Sequence, residues 1–216
     1  MDLDSDTWVK YPQYRAWHNK LWLSEKLGYV CGPSGAPVPK SDVYIVRPIY
    51  NLLGMGLGAK FMSLNPEYDL NQIPAGHFWC EKFDGPHYTV DYEWTYLGNG
   101  QGGWKQLHAW RGYNNPQLWR FTKWEKCDII IELPWFFNKL GWDFKVRYIN
   151  IEAIGDKVIE VHLRPNPDHR DEYDVLIPIW QGDDITKYTS QGYTYIESHD
   201  DAEGQLPKAR LGFCAK

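Results

Sequence analysis

The chain is poor in cysteine: four in 216 residues, at positions 31, 80, 127 and 214, with no CxxC pair. That leaves no spacing for a zinc site or a dense disulfide framework and suits a reducing compartment. No uncharged apolar run approaches the roughly 18 to 20 residues that a membrane span needs. The first six residues, Met1-Asp2-Leu3-Asp4-Ser5-Asp6, are acidic where a secretory leader is basic and then apolar. A soluble, cytoplasmic protein is the expectation. Positive charge is also short, with 23 Lys and Arg against 28 Asp and Glu and a net charge of −5, so phosphate backbones are not attracted in general and nucleic acid is not an expected partner. There is no internal repeat and no low-complexity tract.

Aromatic residues are abundant, at 16% with 12 Trp and 15 Tyr, in a chain whose 43% hydrophobic and 24% charged content is ordinary for a globular fold. The length fits one globular unit, or two lobes sharing a cleft. Tyr14, Trp17 and Leu21 at helical spacing, with Gly28 as a stop, predict a helix over 13–27. The prolines and glycines of 32–40 predict a loop before a strand at 43–46, and a glycine-rich turn over 51–59 precedes an apolar stretch at 60–64. From 77 the pattern predicts antiparallel strands at 78–83, 87–97, 104–111 and 118–124. A helix over 128–142, paired strands at 146–154 and 158–163, and short strands at 193–196 and 211–213 complete the reading.

The paired strands carry the first chemical signal. Period-two alternation puts Ile149, Ile151 and Ala153 on one face of the first, and Asn150 and Glu152 on the other. In the second, Ile159, Val161 and Leu163 make the apolar face, and Glu160, His162 and Arg164 the polar one. A three-residue Gly155-Asp156-Lys157 loop then sets Glu152 opposite Glu160 and Asn150 opposite His162. Opposed like charges destabilise a sheet, so a cation or a raised pKa must compensate. Mg²⁺, which binds through one or two carboxylates plus water and phosphate, is the economical candidate. The plain alternative is a solvated face neutralised by Arg164 and Arg147. On this reading Glu160→Gln relieves repulsion and preserves or raises stability without ligand.

Gly54, Gly56 and Gly58 form the second signal: exposed backbone N–H groups could approach phosphate oxygens, with Arg47 just upstream, although a simple hairpin tip has the same spacing. In order along the chain, Tyr44-Ile45-Val46-Arg47-Pro48, the glycine segment Gly54 to Gly58, Trp79 to Asp91, Asn150-Ile151-Glu152 and Ile159 to Arg164 together resemble the ATP-grasp superfamily. The likeness covers roughly 17–168. It implies an α+β fold of two lobes with antiparallel sheets enclosing a nucleotide cleft, in one module over 1–216 that lacks the family's usual extra N-terminal domain. One lobe, over 1–80, would carry the glycine flap, and the other, over 81–216, the hinge and metal-binding strands.

By that resemblance Arg47 and the amides of Gly54, Gly56 and Gly58 would hold phosphate, Glu81 would accept from the adenine amino group, and the Lys82 and Phe83 backbone would meet the adenine edge. Glu152 and Glu160 would bind Mg²⁺. Three positions depart from the pattern: Arg47 replaces the usual lysine, His87 stands where a ribose-binding glutamate often sits, and His162 stands where an asparagine usually completes the metal site. Asn166 or His162 itself would then be the third ligand, the latter favouring Mn²⁺ somewhat. Arg47 and Arg164 are the candidate catalytic residues. The implied activity is an ADP-forming ligase that activates a small-molecule or peptide carboxylate as an acyl phosphate for an amine or thiol acceptor. Two alternatives stand beside it, a kinase of the same fold and a non-catalytic aromatic-rich domain for a glycan or a protein. His18, His77, His108, His169 and His199 read as surface or structural residues.

Overall fold

The structure is a computed structural model that describes residues 3–52, 56–67, 73–98, 101–114, 118, 120–142, 145–169, 171–198 and 208–216. It begins with α1 (Asp4–Lys10), a 3-10 helix (Pro12–His18) and α2 (Lys20–Lys26). The continuous helix expected over 13–27 is broken because Asn19 leaves helical geometry and caps α2, its Oδ1 accepting from the Trp22 N–H at 2.8 Å. One consequence is that Lys20 opens a helix and docks by its N–H on the Ile49 carbonyl.

A four-stranded sheet follows, built from β1 (Cys31–Pro33), β2 (Asp42–Pro48), β3 (Lys60–Leu64) and β4 (His77–Glu81) in the order β1-β4-β2-β3. β1 enters the segment expected to be all loop. Tyr44, Val46, Leu64 and Trp79 form the sheet's own core.

The larger sheet comprises β5 (His87–Gly98), β6 (Gln101–Asn114), β7 (Phe121–Lys126), β8 (Tyr148–Ile154), β9 (Lys157–His162), β10 (Val175–Trp180), β11 (Thr194–Glu197) and β12 (Arg210–Ala215). Its order is β11-β12-β10-β7-β6-β5-β8-β9, with every pairing antiparallel. Two short helices, α3 (Asn138–Trp142) and α4 (Thr186–Thr189), lie between its strands in sequence. The expected helix over 128–142 forms only at its end. Ahead of it the chain is held extended by Gln106, which donates to the Ile129 carbonyl at 2.6 Å and accepts from Ile131 N–H at 3.2 Å. β10 escaped the sequence reading because Pro178 argues against a strand; it is tolerated here because β7 pairs only with Val175 and Leu176.

The main core joins the N-terminal helices to this sheet: Tyr14, Trp17 and Leu23 pack with Val90, Ile149, Ile151 and Val161. The two sheets divide after Glu81; the 3-10 helix and α2 pack on β9 of the larger sheet, and α2 also touches β1 of the smaller one. Among the described residues no helix is long and apolar enough to cross a membrane.

The β8–β9 hairpin has the expected pairs, Asn150 with His162 and Glu152 with Glu160, reached by another route. Its turn is two residues, Gly155-Asp156, and a bulge at Ile159 restores the register beyond it. Val158 therefore takes the core position expected for Ile159 and is 2% exposed. Ile159 turns to the opposite side, where it lines a cavity.

Candidate active site

Alternation along β5, β8 and β9 gathers their polar residues on one face. Thr89, Glu152 and Glu160 lie in one cross-strand row, and Asp91, Asn150 and His162 in the next. This face floors a cavity of about 310 Å³ walled on the other side by Ile45 and Arg47 of β2 and by Cys80 of β4.

Each opposed carboxylate has one oxygen held by a basic side chain and the other turned to His162. Glu152 Oε2 faces His87 Nε2 at 3.2 Å, and its Oε1 lies 3.8 Å from His162 Nε2. Glu160 Oε2 pairs with Lys20 Nζ at 2.8 Å, and its Oε1 lies 4.0 Å from the same His162 nitrogen. The three residues bring one ligand atom each within 4.8 Å of one another. On its far side His162 Nδ1 meets Asp4 Oδ2 at 2.7 Å, and Arg164 Nη2 donates to that same oxygen at 3.0 Å. Asp4 Oδ1 is buried without a partner among the described residues.

These contacts set the acid–base state. Burial works against His162 holding a proton, but the charge and hydrogen bond of Asp4, followed by Glu152 and Glu160, push its pKa up to about 10. Burial likewise opposes ionisation of Asp4, yet His162 and then Arg164 hold it at about 2. Burial of Glu152 is outweighed by its bonds to His162 and His87, which keep its carboxyl well below the usual range. His18, pushed down to about 4 chiefly by burial, stays neutral beside them. Without a metal the protonated His162 neutralises the glutamates; with Nδ1 held by Asp4, loss of the Nε2 proton leaves a lone pair facing two carboxylate oxygens. A carboxylate holding the back of an imidazole that faces acidic ligands is the donor chemistry of a divalent-cation site, so the residues fit one.

No protein-family model matches the sequence, and no curated protein matches it. In structure the chain is similar to a protein from Archaeoglobus fulgidus assigned to the ATP-grasp superfamily, with TM-score 0.48, 15% identity, and 94% of this chain and 65% of that one covered. It is similar also to N5-carboxyaminoimidazole synthetase from Staphylococcus aureus complexed with ADP, with TM-score 0.54, 12% identity, and 95% and 68% covered. The fold is of the ATP-grasp type. An L-amino acid ligase from Bacillus licheniformis aligns at TM-score 0.45 and 13% identity over 69% of this chain and 41% of that one. The chain thus spans less than two thirds of the Archaeoglobus and Bacillus proteins.

Within this ATP-grasp fold the other expected residues fall as follows. Arg47 is 7% exposed, its Nη2 donates to the carbonyl of the bulged Ile159 at 3.0 Å, and its guanidinium lies over the Phe78 ring. Its Nε has no partner among the described residues. Gly56, Lys82, Phe83, His87 and Arg164 line the cavity. Gly58 seats the loop against Pro48, and Gly54 lies outside the described residues. Glu81 is not among the lining residues; its carboxylate accepts from the Val30 N–H at 2.9 Å, tying β4 to the chain before β1. Asn166 lines the same cavity; its Oδ1 accepts from Asp168 N–H and its Nδ2 donates to Thr89.

Sequence reasoning passed over Lys20 and Asp4; Lys20 compensates Glu160, a task the sequence reading gave to a metal or to Arg164 and Arg147. His169, expected as a surface or structural residue, is hydrogen-bonded to Asp91 and is one of the residues lining the cavity. A usable signal for Asp91 was its alternation with Thr89 on the polar face opposite Val90 and Tyr92.

Proposed function

We propose that the protein is an ATP- and divalent-metal-dependent ligase that activates a carboxylate as an acyl phosphate and passes the acyl group to an amine or thiol. The observation that carries this reading is the convergence of Glu152 Oε1, Glu160 Oε1 and His162 Nε2 on the floor of a cavity that Arg47 overlooks. Glu152, Glu160 and His162 would hold Mg²⁺ or Mn²⁺, which when bound offsets phosphate charge during transfer.

The chain's own groups do the rest. Arg47, fixed by the Ile159 carbonyl with its Nε unused, offers charge to a transferring phosphoryl group in a water-poor site, where such charge counts most. The loop glycines Gly56 and Gly58 let backbone approach phosphate oxygens. Ile159, turned inward by the bulge, offers an apolar surface for a base. Lys20 orients Glu160, and His87 orients Glu152 and helps keep its carboxyl below the usual range. A substrate carboxylate placed in line with the terminal phosphate then attacks it, and ADP leaves. The likeness to a synthetase complexed with ADP supports nucleotide use; it leaves donor and acceptor open.

The test is to incubate the protein with Mg²⁺, ATP and hydroxylamine over a panel of amino acids, short peptides and small dicarboxylates. ADP, phosphate and a hydroxamate are expected, and Glu152→Ala should abolish all three. A stable phosphorylated alcohol would establish a kinase instead, and AMP with pyrophosphate would overturn the mechanism.

A further inference from the structure

Two of the four cysteines, far apart in sequence, face each other across the smaller sheet. Cys31 of β1 and Cys80 of β4 are directly opposed partners in an antiparallel pair, so their side chains leave the sheet on the same face. The hydrogen bonds on either side fix the kind of pair. Glu81 N–H donates to the Val30 carbonyl at 2.9 Å, and Ser34 N–H donates to the His77 carbonyl at 3.0 Å. Bonded and unbonded pairs alternate along such a ladder. Val30 with Glu81, Gly32 with Trp79 and Ser34 with His77 are therefore the bonded positions, and Cys31 with Cys80 is an unbonded one. Pro33, opposite Phe78, falls at the next unbonded position, where its missing N–H costs nothing.

An unbonded antiparallel pair brings its Cα atoms to about 4.5 Å, inside the roughly 4.4 to 6.8 Å that a disulfide spans. The other cysteines have no such partner. Cys214 stands opposite Ile177 and Tyr195, and Cys127 gives its N–H to the Ala109 carbonyl beyond β7. Cys31 and Cys80 are free thiols in this structure, the first half-buried and the second buried. Cys80 lies in one cross-strand row with Ile45 and Phe61, and all three line the cavity.

We propose that Cys31 and Cys80 are the site of a cross-strand disulfide, formed by exchange with a low-molecular-weight disulfide. The more accessible Cys31, as thiolate, attacks one sulfur of the reagent, whose S–S bond breaks, and the departing thiolate takes up a proton. Cys80, deprotonated in turn, attacks the Cys31 sulfur of the mixed disulfide. The protein S–S bond forms, and the second half of the reagent leaves and is protonated. Two protein thiols are oxidised and one disulfide is reduced to two thiols. The bond closes the segment that carries β2, β3, Arg47 and Gly58, joining the first strand of the sheet to its last in chain order. It forms whatever the protein catalyses.

Burial, with Glu25 and Glu81 adding to it, pushes the Cys31 thiol up to about 11. Burial, opposed in part by Arg47, pushes Cys80 up to about 12. Exchange is therefore slow near neutral pH, and the finished bond offers no good leaving thiol to a reductant, which makes it a staple rather than a rapid switch.

The test incubates the folded chain with oxidised glutathione at about pH 9, to raise the thiolate fraction, and reads the intact mass after acid quenching. The expected product has lost two hydrogens and carries no glutathione, and unreduced peptide mapping joins Cys31 to Cys80. Its melting temperature should exceed that of the reduced protein by at least about 5 °C. Cys80→Ala should stop with one glutathione retained on Cys31, and Cys31→Ala should slow oxidation of Cys80 by at least about tenfold. A parent that stays reduced, keeps glutathione on Cys31, or links through Cys127 or Cys214 would overturn the proposal. The parent's own mass and peptide map decide this even where a variant fails to fold. A bond that forms but leaves melting unchanged or lowered would refute the staple.

Discussion

The two ends of the cavity are built on opposite principles. Around Glu152 and Glu160 each carboxylate oxygen is turned to a basic side chain, from Lys20 at 2.8 Å to His162 at 4.0 Å. Around Asp91 the carboxylate accepts from Asn150 and the Asn166 N–H and is hydrogen-bonded to His169, whose Nε2 is buried without a partner among the described residues. The first end is a cluster of opposed charges held by direct ion pairs. The second is held by amide and imidazole hydrogen bonds to one buried carboxylate.

The comparison is tested hardest at Asp4, which underpins the first end by serving both His162 and Arg164. Asp4→Ala strips a buried carboxylate from two buried cations, and loss of about 3 to 5 kcal/mol is expected in urea unfolding. An effect below about 1 kcal/mol would mean that water, rather than Asp4, balances these charges.

Glu160→Gln comes next and reverses the sign expected from two opposed glutamates alone. Removing the charge leaves Lys20, whose side chain is 6% exposed, without its counter-ion. Metal-free protein should lose about 2 to 4 kcal/mol, and Mg²⁺-dependent nucleotide binding should weaken as well. Stability equal to or above the parent, in a melt with chelator, would show that carboxylate repulsion outweighs the Lys20 pair.

What was legible and what was not divides along the same line. Glu152 and Glu160 sit on adjacent strands whose alternation can be read locally, and the pairing survived because the shorter turn and the bulge cancel. The partners that decide their energetics come from far along the chain: Asp4 is 158 residues from His162, and His169 is 78 from Asp91. No local periodicity encodes such contacts. Asn19 as a helix cap, which breaks the helix and frees Lys20 to turn inward, was the one nearby clue.

Acidity gives a smaller effect with a defined sign. Asp4 falls from its ordinary 3.8 to about 2 in the folded protein, so its contribution is complete above about pH 4 and is lost as pH falls through about 2. That is worth about 2 kcal/mol. His162 rises from 6.5 to about 10, so its contribution is complete below about pH 6.5 and is lost as pH climbs through about 10. The two share one bond and are not additive. Metal-free protein should therefore show a stability plateau across the middle of the range, with both limbs flattened in Asp4→Asn. Parallel profiles for parent and variant would remove Asp4 as the organiser of that end.

The smallest effect separates backbone strain from contact at the loop over the carboxylate end. Gly28 and Gly58 share φ +75°, a conformation costly for any residue with a Cβ. A Cβ at Gly28 meets nothing within 4 Å, whereas one at Gly58 lands 2.9 Å from Pro48 Cγ. Gly28→Ala should cost about 1 kcal/mol from strain alone, with nucleotide affinity unchanged. Gly58→Ala should cost about 1 kcal/mol more, because the Pro48 ring or the loop must move. If the loop closes over phosphate from this seat, Gly58→Ala should also weaken Mg-ATP binding where Gly28→Ala does not. Equal melting shifts and equal affinities in the two variants would mean that the loop lifts off Pro48 at no cost, so its position against β2 plays no part in binding.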